Sequence, residues 1–335
     1  MLKLVPSKFS QRVLFSCLFP FLFVFSSSVN AGQWELGINS SANIWQPASY
    51  KRDKKSYNYP FFSLTMVEPL SNTSNSDYPL SLRYTSDSRR HSFFGSYADT
   101  RMKSSYNVGF LLLFPVEQSF ERKDGRFHYL YYPVENTFGF GLGFRRTDTL
   151  TTSSGFGASS LIGFSERREI FSGSGPELLL SFNPFFGLRR ASLWLTLSYF
   201  SMQGPYSLDK FDVGDYPDTT DGGMTYTYYP TVIMQKSTSF SKTEVEGSEF
   251  NLKFTLYAGK NVGFFCGMSF YSAKIAVLNY QTDTFIFSEN PYLSDSILNY
   301  LVYSLDEALF TQPLYRQKFT EEFTRLYVGI TLRFG

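Results

Sequence analysis

The chain is most legible where apolar and polar residues alternate with a period of two, the pattern that sends successive side chains to opposite faces of a sheet. In 249–258, Phe250, Leu252, Phe254, Leu256 and Ala258 share one face, opposite Glu249, Asn251, Lys253, Thr255 and Tyr257. After Gly259, Lys260 and Asn261 the alternation resumes with Val262, Phe264, Cys266, Met268 and Phe270, which predicts a hairpin with a very short turn. Near the end, Leu326, Val328, Ile330, Leu332 and Phe334 alternate with Arg325, Tyr327, Gly329, Thr331 and Arg333. Trp34, Leu36, Ile38 and Ile44 do the same against Glu35, Gly37, Asn39, Ser41 and Asn43. The stretch NTFGFGLGFRRTD at 136–148 is an extreme case, with Phe138, Phe140, Leu142 and Phe144 on one face and Gly139, Gly141 and Gly143 on the other. Its bare face predicts a groove that bends the strand or receives something bulky, such as a tyrosine or a loop helix.

Read this way, the chain predicts twelve strands, at 33–45, 57–67, 79–86, 91–98, 104–114, 134–146, 154–167, 176–183, 190–202, 246–258, 261–276 and 319–334. Connections at 147–153, 183–187 and 259–261 are short, whereas those at 115–133, 203–245 and 277–318 are long and polar or aromatic. The last of these carries the one predicted helix. Ser294 is its cap, and Ile297, Leu298, Leu301, Val302, Leu305, Ala308 and Leu309 form its apolar stripe, which is expected to pack at a mouth of the fold.

Composition changes the picture in two ways. Residues 1–31 have the form of a signal peptide: Lys3, Lys8 and Arg12, an apolar run from Val13 to Phe25, then Val29, Asn30 and Ala31 before Gly32. That leaves 32–335 as one exported all-β domain in which Cys266 is the only cysteine, so a disulfide framework is excluded. Aromatic residues make up 19% of the chain, with 37 Phe and 24 Tyr, yet no apolar stretch of about 18 residues follows the leader. The formal charge of +2 is close to balance and gives no reason to expect nucleic acid.

Apolar faces of five residues match the roughly nine to eleven residues with which a tilted strand crosses a bilayer, and exceed the usual strand of a soluble sandwich. On this alternation and leader, residues 32–335 resemble a bacterial outer-membrane β-barrel protein of the porin-like class. The resemblance implies a transmembrane antiparallel up-and-down barrel in contact with outer-membrane lipid, with short periplasmic turns and long extracellular loops, and a homo-oligomer is compatible with it. It also implies insertion by the barrel assembly machinery, which reads a terminal aromatic residue; here Phe334 is penultimate and Gly335 follows. The function implied is a channel for small hydrophilic solutes. A surface-exposed binding or adhesion barrel and an outer-membrane lipid hydrolase are the alternatives.

If the apolar faces meet lipid, the opposite faces line a lumen, and they carry Glu35, Arg83, Arg145, Glu177, Arg190, Lys253, Arg325 and Arg333. Charges of both signs around a bore would set a transverse field for solutes, or else pair across neighbouring strands and fill the interior. In 203–245, Asp209, Asp212, Asp215, Asp218 and Asp221 recur at every third position, a candidate divalent-cation loop by ligand type although the spacing is not that of an EF-hand. A hydrolase would draw on Asp87, His91 and Ser92. The glycines at 139, 141 and 143 do not match a nucleotide loop and no Cys/His metal set exists, so no cofactor is expected.

Overall fold

The computed structural model describes residues 32–56, 79–109, 114–156, 163–184, 190–217, 228–237, 242–288 and 316–335, together with short strand pieces between 58 and 74. The expected signal peptide at 1–31 and the expected helix near 294–310 lie outside the described residues.

In chain order the elements are β1 (Gln33–Gln46), α1 (Ala48–Ser56), the pieces β2 (Asn58–Tyr59), β3 (Phe62–Ser63), β4 (Thr65–Val67) and β5 (Thr73–Ser74), then β6 (Leu80–Thr85), β7 (His91–Gly109) and β8 (Phe114–Val134). They continue with β9 (Phe138–Phe156), β10 (Gly163–Phe182), β11 (Ala191–Pro217), β12 (Tyr228–Ser237), β13 (Lys242–Tyr257), β14 (Val262–Leu278), β15 (Thr282–Ser288) and β16 (Phe319–Phe334). Ten of them, β1, β6, β7, β8, β9, β10, β11, β13, β14 and β16, pair antiparallel in that order. The sheet then closes, because β16 returns to β1 with Trp34 opposite Phe334 and Gln46 opposite Glu322. Among the described residues β12 and β15 stand outside this ring, β12 on the far part of β11 and β15 on β12.

The ring has ten strands, not the twelve that alternation predicts, and the reason is local. Segments 91–98 and 104–114 were expected to be separate, but β7 runs unbroken through most of both. Segment 115–133, expected to be a loop, is nearly all of β8, and 147–153, expected to be a turn, is mid-strand in β9. Likewise, the strand expected at 154–167 joins the end of β9 to the start of β10, and 57–67 holds only short pieces outside the ring, β4 pairing with β7. In each long strand the outer face changes from apolar to polar part-way along. On β8, Phe127, Tyr129 and Tyr131 give way to Lys123, Glu121, Ser119 and Glu117, so the period-two signal fades where the strand does not.

That change marks a belt. On the outer face, Phe138, Phe140, Leu142 and Phe144 of β9 are exposed, as are Leu178 and Leu180 of β10, Leu256 of β13, Phe264 of β14 and Val328 of β16, with Leu142 at 67%. The belt starts at the short turns 86–90, 135–137 and 258–261 and at the link 183–190, and ends about nine residues along each long strand. An apolar girdle of that height, on a ring of strands that closes on itself, suits hydrocarbon. Near the turns it is fringed with aromatic rings, including Tyr84 against Trp34 at 4.9 Å and Phe93 against Tyr129 at 5.2 Å. Beyond the belt β8, β9, β10 and β11 continue as a cuff: β9 runs on from Arg146 to Phe156, roughly 30 Å along the strand.

The glycine groove on β9 is filled from the adjacent strand. A Cβ at Gly139 would sit 2.6 Å from ring carbons of Tyr132, and one at Gly143 would run into the His128 ring. The glycines let β8 lay large inward side chains over β9, and the tyrosine expected in the groove is Tyr132.

Candidate functional site

Inside the ring the alternation that puts apolar residues outward turns charged residues inward. Arg145 of β9 is wholly buried at the level where the belt ends. It donates to both oxygens of Asp124 on β8, Nε to Oδ1 at 3.0 Å and Nη2 to Oδ2 at 2.5 Å, the two-pronged geometry in which arginine binds carboxylate best. Its Nη1 lies 3.2 Å from Glu249 on β13 and 3.6 Å from Glu177 on β10. Arg126 bridges Asp124 at 2.9 Å and Glu249 at 2.6 Å, and His128 meets Glu177 at 2.8 Å. Arg122 pairs with Glu321 of β16 at 2.5 Å, and Trp45 of β1 donates its indole N–H to the same carboxylate at 3.0 Å.

Aromatic faces complete the layer. The Arg145 guanidinium lies 4.3 Å from the ring centre of Phe200, and that of Arg122 lies 4.2 Å from Tyr271. Above it, toward the cuff, Trp45, Met102, Phe120, Met202, Val245 and Phe323 pack as a buried apolar cluster.

Over that cluster sits α1, which alternation did not predict. It turns inward from the end of β1, burying Ala48, Ser49 and Arg52. Arg52 pairs with Glu169 of β10, Ser49 approaches Thr151 of β9 at 3.4 Å, Tyr50 meets Tyr106 of β7 edge-on, and Lys51 reaches back to Glu322 at 2.9 Å on the rim. Glu169 also has Arg167 at 3.1 Å. Burial alone would push the Glu169 carboxyl up, but the two guanidiniums outweigh it and hold the group below its ordinary range.

The predicted lumen charges separate into three positions. Arg145 and Glu177 belong to the central layer. Arg325 is near it, donating to Asn43 at 3.2 Å and Thr100 at 3.1 Å. Glu35, Arg83, Lys253 and Arg333 gather at the other end, where Thr331 donates to Glu35 at 2.9 Å and Arg333 lies 3.9 Å from it. Arg190 is an exposed residue of the link before β11 and lines no strand face, because the strand begins one residue later than expected. Asp124, Arg122, Arg126, Glu249 and Glu321 escaped the sequence reading. Four of them fall in segments taken for loops or strand margins; Glu249 was on the polar face already described.

The acidic repeat is not a metal loop in the described residues. Asp209 is exposed on β11, in register with Arg168 and Lys236, and Asp212 and Asp215 continue the same strand. Asp218 and Asp221 lie outside the described residues, among which no group of His, Cys, Asp and Glu is arranged to hold a metal. The hydrolase set is also parted: His91 is exposed and bonds the Tyr129 hydroxyl at 2.7 Å, whereas Ser92 is buried on the opposite face.

A closed antiparallel sheet with an apolar girdle outside and charged residues inside is the architecture of bacterial outer-membrane β-barrels. Several solved structures align with most of this chain. The outer-membrane protease OmpT of Escherichia coli aligns with 92% of this chain and 100% of its own at 8% identity, with a TM-score of 0.44. The toluene transporter TodX of P. putida aligns with 92% and 91% at 7% identity and a TM-score of 0.36. Its counterpart TbuX from Ralstonia pickettii does so with 92% and 90% at 9% identity and a TM-score of 0.36. No family model and no curated protein sequence matches the chain.

Proposed function

We propose that this is an outer-membrane barrel sealed across its lumen, working through its extracellular end as a surface-exposed binding protein. The observation that carries this reading is the buried layer around Arg145, whose ion pairs to Glu249 and from Arg122 to Glu321 join strands three and four places apart in the ring and lie beneath an apolar cluster and α1. The cuff supports it as well, since a simple pore has no use for strands that continue about 30 Å beyond the lipid. Reconstituted into a planar bilayer, the folded protein is expected to show no stable conductance steps for small ions. Reproducible long-lived steps would reject the sealed barrel and restore the passive channel.

One observation favours a second reading, a channel for small hydrophilic solutes that opens when α1 moves. Side-chain contacts such as Arg52 to Glu169 and Ser49 to Thr151 tie α1 to the ring wall. Conductance appearing in an R52A/E169A variant and absent from the parent would support that gate. Nothing comparable favours hydrolysis: the chain beyond any leader has two histidines, His91 at the turn end of the belt and His128 buried against Glu177, so a cuff centre would have no histidine base.

A further inference from the structure

We infer that the turn end of the ring, periplasmic in the reading above, is a binding site for a phosphate-type oxyanion; only its sidedness rests on that reading. A pocket of about 540 Å³ opens there between the ends of β13 and β16, the β13–β14 turn and the start of β11. Arg190, Lys260 and Arg333 line it, and Arg83 and Lys253 face the same end from just inside the ring. Against these five cationic side chains stands one acidic one, Glu35, already bonded to Thr331. Among the side chains that line the pocket or face it from inside the ring, cations outnumber acids.

Aromatic rings hold three of these cations, which share the single carboxylate of Glu35. The Arg333 guanidinium lies 3.5 Å from the ring centre of Tyr257, that of Arg83 lies 4.2 Å from Trp194, and the Lys253 ammonium lies 4.2 Å from Phe265. A ring face stabilises a cation without neutralising it and leaves the N–H edge of a guanidinium free to donate. Arg333 donates through Nη2 to the Tyr257 hydroxyl, and among the described residues the buried Nε atoms of Arg83 and Arg333 have no hydrogen-bond acceptor. A phosphate, with several acceptor oxygens and up to two negative charges, supplies both what the charge balance and what the donors lack. Phe334 of the lipid belt lines the same pocket, so it opens at the membrane interface. Its oxyanion can come from solution or from the headgroup of an anionic phospholipid in the adjoining leaflet.

Calorimetric titration of the folded full chain in neutral detergent with inorganic phosphate tests the site. Saturable binding is expected, weakened at least about tenfold in an R190Q/K260Q variant, because two charge-assisted contacts are lost. Both residues are exposed, and heat-dependent gel mobility verifies that the variant keeps its ring. In phosphatidylcholine nanodiscs, loss of the phosphate heat on adding phosphatidylglycerol identifies the lipid headgroup as the source; unchanged heat identifies the free anion. Absence of saturable binding to folded protein, or equal affinity in the double variant, overturns the site. Labelling of Lys260 by a membrane-impermeant amine reagent in whole cells reports sidedness separately, so failure of the outer-membrane reading is not confused with failure of the site.

Discussion

Arg145 shows how a single residue decides the state of the interior. Fully buried between Asp124, Glu249 and Glu177, it has given up water entirely, and only its carboxylate partners and the Phe200 face offset that loss. Arg145→Ala leaves those carboxylates with fewer counter-charges, and the expected loss is about 3–5 kcal/mol in urea unfolding followed by tryptophan fluorescence. A loss under about 1 kcal/mol would mean that water already reaches the layer. Glu169 makes a different prediction, one of pH. Its folded-state carboxyl lies below the ordinary value, so the contribution of its pair with Arg52 is complete above an unfolded value of about 4.3 and is lost only as pH falls through the lower folded one. Amide exchange in α1 should therefore stay flat from pH 7 to 5, once corrected for intrinsic rates, and rise in stronger acid, with E169Q removing the acid step. Release of α1 already between pH 7 and 5 would refute this clamp.

At the scale of elements, β8 and β9 form the seam that gives the ring its filled wall. Tyr132, Leu130 and His128 lie over Gly139, Gly141 and Gly143, so large residues of one strand occupy the space that small residues of its neighbour leave. Gly139→Val is expected to cost about 1–3 kcal/mol or to block folding, because Tyr132 has to move into an interior already packed with Trp194 and Leu130. Gly125→Ala is the control: a Cβ there meets nothing within 4 Å, and its effect should stay within about 0.5 kcal/mol. Comparable losses in the two variants, measured as the folded fraction on heat-dependent gel mobility, would show that the groove is no packing feature. The groove itself was legible in 136–148, and so was the idea that a tyrosine fills it. Its depth in the ring was not, because 115–133 carries charges on both faces and reads as a loop until its neighbours are seen to pair with it.

For the molecule as a whole, the belt is what assigns an environment. Leu142→Arg, in the most exposed part of the apolar face of β9, should cost about 2–4 kcal/mol in lipid vesicles, while a charge is already native at Arg146, two outward positions farther along. Equal stability of the L142R and parent proteins in vesicles would deny that this face meets hydrocarbon. Alternation over 249–270 and 319–334 was enough to determine an all-β chain with lipid-facing strands and the hairpin at 259–261, since which face a residue takes depends only on its parity along a strand. Strand length was not determined by sequence, because beyond the belt the outer face turns polar and the inner face mixes apolar residues such as Phe120 and Met202 with polar ones such as Gln118 and Arg122, so no continuous apolar parity marks the strand. Nor could the chain alone say whether the inward charges line a bore or close it. Arg145, Asp124, Glu249 and Glu321 come from strands far apart in sequence, and α1, a short and strongly polar helix, has no apolar stripe to announce it. Closure of the ring sets the distances across the interior, and those distances turn a row of polar positions into a buried layer of ion pairs.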